Sequence, residues 1–265
     1  MSVQLNINVK TFATVAEPIE QTFHRNVESV HRLIDFDHVL LEYCTHRVSD
    51  LAEKMRKAGY DNRLTQTADR AVEQLKLIRQ HESLRPQYAE MFNQSLVLLV
   101  SYFGSSIRDL FKASFTHALR SGKAGNLNRQ EIKILLSDLQ IGCDDFSEKL
   151  TEIFLAQKDI SFQDMQSIGR AFGDNFGFRP EKNKCVNNII LAQACRHVIV
   201  HSGSKVDAKL LKQVADANPR DIKTTLAQGQ KIEFQPDEVR LAGASMIEYF
   251  HALSIGLQEK ASHAN

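Results

Sequence analysis

Apolar positions along this chain recur every three or four residues, and that period organises most of its length. The clearest case is Phe92, Leu96, Leu99, Phe103, Ile107 and Leu110, at spacings of 4, 3, 4, 4 and 3, one continuous stripe along a helix. Leu98, Val100, Tyr102, Phe111 and Phe115 add apolar surface on other sides. The pattern predicts a long central or interface helix from about 87 to 120, ended by Ser121-Gly122-Lys123-Ala124-Gly125. Before it, the period predicts three helices, near 18–35, 36–57 and 64–82, with Gly59-Tyr60-Asp61-Asn62 as a turn and Pro86 as a boundary. Residues 2–9 alternate apolar and polar, as a short strand would.

Beyond the long helix, capping signals mark the starts. Asn128 with Glu131 opens one helix and Ser161 with Asp164 another, each with an acid three residues on; a helix near 145–157 lies between them. Asp174 to Pro180 reads as a loop, and residues 182–201 as an apolar helix broken by Ser202-Gly203. Ser204 with Asp207 caps a helix running to about 216, and 217–235 is irregular with a short strand at 231–234. An amphipathic helix from Pro236 to about 259 closes the chain, burying Val239, Met246, Phe250 and Leu253. The fold class is all-α. We divide it into an N-terminal helical region, 1–85, and a second helical domain, 86–265.

Composition changes this picture little. At 265 residues, 43% hydrophobic and 25% charged, the chain suits a globular protein with a sizeable core. No apolar run reaches the roughly 18 to 20 residues that span a bilayer. The N-terminus lacks the basic and apolar regions of a signal peptide, so a cytoplasmic location without membrane association is expected. Cys44, Cys143, Cys185 and Cys195 are scattered, with no Cys-x-x-Cys pair, and are expected to be free thiols. The net charge of +1 excludes a generic polyanion binder. Yet Arg179 to Lys212 holds seven Lys/Arg against two acids, a local +5.

That basic stretch contains the candidate chemistry, Arg196-His197-Val198-Ile199-Val200-His201-Ser202-Gly203. A guanidinium binds phosphate bidentately and stays charged, while histidine exchanges a proton near neutrality. Together they suit phosphodiester cleavage in RNA, whose 2′-hydroxyl is its own nucleophile. Arg196 and His201 are five residues apart, about 140° around an ideal helix. Either the helix unwinds before His201 or a second copy of the chain completes the site. His197 and His201, at i and i+4, share a face; that spacing fits zinc, but no third ligand completes the pattern, and neither metal nor cofactor is expected. Lys182, Lys184, Lys205 and Lys209 flank the motif as candidate contacts to an RNA backbone. A helix C-terminus that favours cations would account for Arg196 and the two histidines without any function.

The segment Arg196–Gly203 resembles the Arg-x4-His motif of the HEPN superfamily, in which a polar residue often follows the arginine, here His197. Residues 93–103 resemble the opening long helix of RiboL-PSP-like and related bacterial HEPN families, Ser161–Ile168 an intermediate helix and Pro236–Leu257 the closing one. The likeness covers roughly 87–260. It implies an all-α HEPN-type bundle, usually a homodimer, and a metal-independent ribonuclease of toxin or defence systems that pairs Arg and His across a two-fold axis. By this resemblance Arg196 holds the scissile phosphate, His201 is the general base or acid, and His197 supports them. RNA is the implied partner, with an antitoxin or regulatory protein besides. Relatives often carry an acid in the first long helix, where this chain has Gly104-Ser105-Ser106; the nearest carboxylate is Asp109. Two other readings remain: a non-catalytic RNA-binding or sensing protein, and a helical scaffold.

Overall fold

The computed structural model describes residues 12–60, 62–78, 85–122, 125–135 and 146–263. The strand expected at 2–9 and Cys143 lie outside them. The described residues form an all-α architecture of α1 (Phe12–Lys57), α2 (Asn62–Ile78), α3 (Arg85–Ser121), α4 (Phe146–Lys158), α5 (Met165–Phe176), α6 (Lys184–His201), α7 (Ala208–Val214) and α8 (Pro236–His263), with a 3₁₀ turn at Gly125–Arg129. None of these helices is long and apolar enough to cross a membrane.

α3 is the axis of the fold. Its stripe Leu96, Leu99, Phe103, Ile107 and Leu110 is completely buried, packed by α1, α8, α6 and α4. Phe111 is an aromatic hub, with the rings of Phe162, Phe172 and Phe176 centred 5.3 to 5.4 Å away. Such tilted and edge-on pairs contribute beyond their buried area.

The two helices expected at 18–35 and 36–57 are one. No Gly or Pro lies between Asp35 and Lys57 to stop the hydrogen-bond ladder, and Pro18, which removes one bond of that ladder, lies well before that stretch. The first half of α1 places Phe12, Ala16, Phe23, Val27, Val30 and Ile34 in the same buried cluster as α3, α6 and α8, so one core runs across residue 86. The second half pairs with α2 as a helical hairpin, closed over Ala52 and Thr65. Arg56 Nη2 donates to both carboxylate oxygens of Asp69, at 2.6 and 2.8 Å, and ties the two helices of the hairpin.

Three further starts differ from expectation. The helix expected after Asn128 does not form through residue 135. The backbone of Lys133 instead donates to the Gln157 Oε1 of α4 at 3.0 Å and accepts from its Nε2. α5 starts three residues late because Asp164, not Ser161, is its cap; its carboxylate accepts from the Ser167 N–H and hydroxyl, both at 2.8 Å. Likewise Asp207, not Ser204, caps α7, accepting from the Leu210 N–H at 2.7 Å. The expected strand at 231–234 is a single antiparallel bridge between Lys205 and Lys231. It is held from the other side by Asn93 of α3, which donates to the Ile232 carbonyl at 2.9 Å and accepts from the Phe234 N–H at 3.1 Å.

Candidate functional site

α6 is built to carry polar groups through the core. Its cap is Asn183, accepting from the Val186 N–H at 2.9 Å. Asn187 and Asn188 are buried but used. Asn187 donates to the Pro219 carbonyl at 2.9 Å. Asn188 donates to the Ser245 hydroxyl at 3.1 Å and accepts from the Asp221 N–H at 3.0 Å. These bonds fix α6 against α8 and the loop that follows α7.

One turn further on, the same helix forms the wall of a cleft of about 1330 Å³ bounded by α3, α4, α5, α6 and α7. Gln193, Arg196 and His197 line it. Their i, i+3, i+4 spacing puts them on one helix face. Arg196 is half-buried, and no described residue offers it a hydrogen bond or ion pair. Burying a charge without a partner is costly, so this guanidinium is poised for an anion from outside.

The rest of the lining is weighted towards positive charge. Arg108 and Lys112 project from α3, Arg170 from α5 and Lys212 from α7. Lys112 is held 3.5 Å from Glu152 of α4, and Arg170 donates to the Ser167 hydroxyl at 3.3 Å. Arg108, like Arg196, has no partner among the described residues. The acids present are Glu152, Asp159 and Asp164, the last already occupied in capping α5.

The motif itself divides. α6 stays helical through His201, whose successor Ser202 still donates its N–H to the Val198 carbonyl at 2.9 Å. The unwinding that would have swung His201 towards Arg196 does not occur. His201 is exposed and does not line the cleft. It stands beside His197, ring centroids 5.0 Å apart, so His197 links the cleft wall to the helix end. Among the described residues no three His, Cys, Asp or Glu side chains gather as metal ligands would.

The flanking lysines are not brought to the cleft. Lys182 donates to the Asp216 carbonyl at 2.6 Å and Lys184 pairs with Asp221 at 2.8 Å, both fastening the segment after α7. Lys205 and Lys209 are exposed and are not among the residues that line the cleft.

Gly104 and Ser105 do line the cleft. A side chain at 104 would start 3.3 Å from the Phe162 carbonyl oxygen, so the backbone of the loop before α5 closely approaches α3 at Gly104. Asp109 is exposed and outside the lining. Sequence reasoning missed Arg108, Arg170 and Gln193. Only Gln193 had a local signal, its helical spacing from Arg196 and His197; the arginines are gathered by tertiary packing alone.

No protein-family model matches the chain, and no curated protein or solved structure is significantly similar to it.

Proposed function

We propose that this protein is a metal-independent endoribonuclease of the HEPN type, acting as a homodimer in a toxin or defence role. The observation that carries the reading is the partnerless, half-buried Arg196 on the wall of a basic cleft. In this scheme Arg196 holds the scissile phosphate of RNA and stabilises its developing charge. The 2′-hydroxyl attacks phosphorus, its proton passes to a histidine, the P–O5′ bond breaks and the leaving O5′ takes up a proton from the protonated histidine or from water. The products are a 2′,3′-cyclic phosphate and a 5′-hydroxyl. His201 is the proton-exchanging group, steadied by the adjacent His197. Because Arg196 and His201 leave one intact helix in different directions, the working pair is formed between two copies of the chain.

The test is incubation of purified wild-type and His201→Ala protein with mixed RNA in EDTA, followed by analysis of product ends. Wild-type-only cleavage leaving cyclic phosphates is the expected result. Intact RNA with both proteins refutes the nuclease. One observation favours a second reading, a non-catalytic RNA-binding protein: His201 stands outside the cleft that holds Arg196. That reading expects uncut RNA, bound with an affinity that falls as salt rises and is weakened by Arg196→Ala.

A further inference from the structure

Six buried side-chain polar atoms lack a hydrogen-bond partner among the described residues, on His31, Ser95, Asn175, Asn187, Gln193 and Ser254. Of these residues only Gln193 belongs to the cleft wall. It is 8% exposed, and neither its Oε1 nor its Nε2 is bonded to a described residue. A buried carbonyl left unpaired is destabilising, and a ligand donor that meets the amide as it turns into the cleft removes that cost.

The surroundings say what the ligand is. The same lining includes the apolar Val100 and Leu155, buried, and Ile160 and Ile190, half-buried. Of the arginines in the lining, Arg108 and Arg170 are exposed and Arg196 is half-buried, so the cationic groups are the more exposed part of the wall and the apolar ones the less exposed. An apolar floor, one amide and a cationic rim match a nucleotide with its base inward and its phosphates outward. A carboxamide presents an acceptor beside a donor, and each nucleobase offers the reverse pair on an unpaired edge. Double-stranded RNA has no such edge free, but single-stranded RNA splays its bases into pockets of this kind.

We infer that the cleft seats an unpaired base of a single-stranded RNA, read by the Gln193 amide, with Arg108 and Arg170 taking the phosphates on either side. This assignment rests on the RNA reading of the Arg196 face and adds the seat that positions the strand. Gln193, Arg108 and Arg170 are positioning residues, since none holds the reacting phosphate.

The experiment is fluorescence anisotropy with a short 2′-O-methyl oligonucleotide, which has no free nucleophile and cannot be cut, against an abasic strand of equal length and charge. Wild-type protein is expected to bind the base-bearing strand about tenfold more tightly, the scale of one buried hydrogen bond with its desolvation. Gln193→Met is expected to lose most of that margin and leave abasic binding unchanged, which also shows that the variant is folded. Arg170→Ala is expected to weaken both strands. Equal wild-type affinity for the two strands overturns the base seat while leaving phosphate contacts intact. No binding of either strand at low salt overturns both the seat and the RNA reading. Displacement of the strand by adenosine monophosphate at equal concentration overturns the RNA source in favour of a free nucleotide. The comparison on wild-type protein decides the matter even where a variant misfolds.

Discussion

Replacing Gly256 by alanine is expected to destabilise this protein, against the direction that helix propensity sets. Gly256 lies inside α8, where exchange of glycine for alanine ordinarily gains about 1 kcal/mol. Here a Cβ would overlap three atoms of the Phe178 ring, far inside the van der Waals separation of about 3.5–4 Å. Phe178 sits between α5 and α6, half-buried against the core, and α8 accepts it only where it has no side chain. Admitting the methyl group means displacing the ring. Overpacking of this kind costs about 1–3 kcal/mol, and a half-buried ring forfeits part of the roughly 1.5–3 kcal/mol that full burial is worth. Set against the propensity gain, the net loss is about 1–2 kcal/mol. Urea denaturation reads it as a lower midpoint at unchanged slope. The sign reverses in the Phe178→Ala background, where the overlapping ring is gone and the same exchange gains about 1 kcal/mol. Gly256→Ala as stable as wild type, or the same sign in both backgrounds, would refute the argument.

Two further outcomes follow from buried groups. Burial, and then the charge of Arg240, hold His31 below its ordinary value of 6.5, Asp35 and Glu28 opposing only in part. The unfolded chain therefore takes up a proton that the folded chain resists, so stability is full above about pH 6.5 and falls as pH drops below it. His117, lowered by burial and then Arg120, acts in the same direction. The urea midpoint is expected to decline from pH 8 to pH 5.5, and less steeply in His31→Gln; an identical slope in that variant removes His31 from the account. Burial pushes the Cys195 thiol up to about 12, so Cys195 is expected to resist alkylation in native protein at mildly alkaline pH and to react in urea. Native labelling at Cys195, read by peptide mass, contradicts its placement in the core.

How much of this was legible in the sequence depends on whether the signal was local. The α3 stripe reads directly because each buried residue lies three or four positions from the next, and its burial is complete. The caps were legible as residue types but not as positions. Ser161 and Asp164 are both good caps, and the choice falls to Asp164 because its carboxylate takes two donors from Ser167. The continuity of α1 was hidden by the opposite problem: a change of burial at residue 35, from core to hairpin, resembles a change of element when only the pattern is seen. The motif Arg196–His201 could be named from spacing, and so could the 140° between its ends. The cleft could not. Arg108, Arg170, Arg196 and Lys212 span more than a hundred positions and meet only when α3, α5, α6 and α7 pack. The lysines nearest the motif in sequence turn out to fasten the segment after α7 or to be exposed outside the cleft lining.

The intact α6 gives the proposed two-copy site a test that a single-chain site fails. Arg196→Ala and His201→Ala proteins each lack one half of the working pair, so each alone is expected to be inactive on RNA. Mixed in equal amounts and allowed to exchange, half of the dimers contain one chain of each kind. If Arg196 of one copy works with His201 of the other, every such mixed dimer has one intact site and one doubly defective site. About a quarter of the wild-type activity then returns, the fraction that two-fold symmetry dictates. If both groups act within one chain, no mixed dimer contains an intact site and nothing returns. Exchange is verified independently by mass-tagging one variant. Tagged mixed dimers without recovered cleavage would place the whole reaction in a single chain. A His201→Ala protein that by itself still cuts RNA would instead make His197, which lines the cleft beside Arg196, the catalytic histidine.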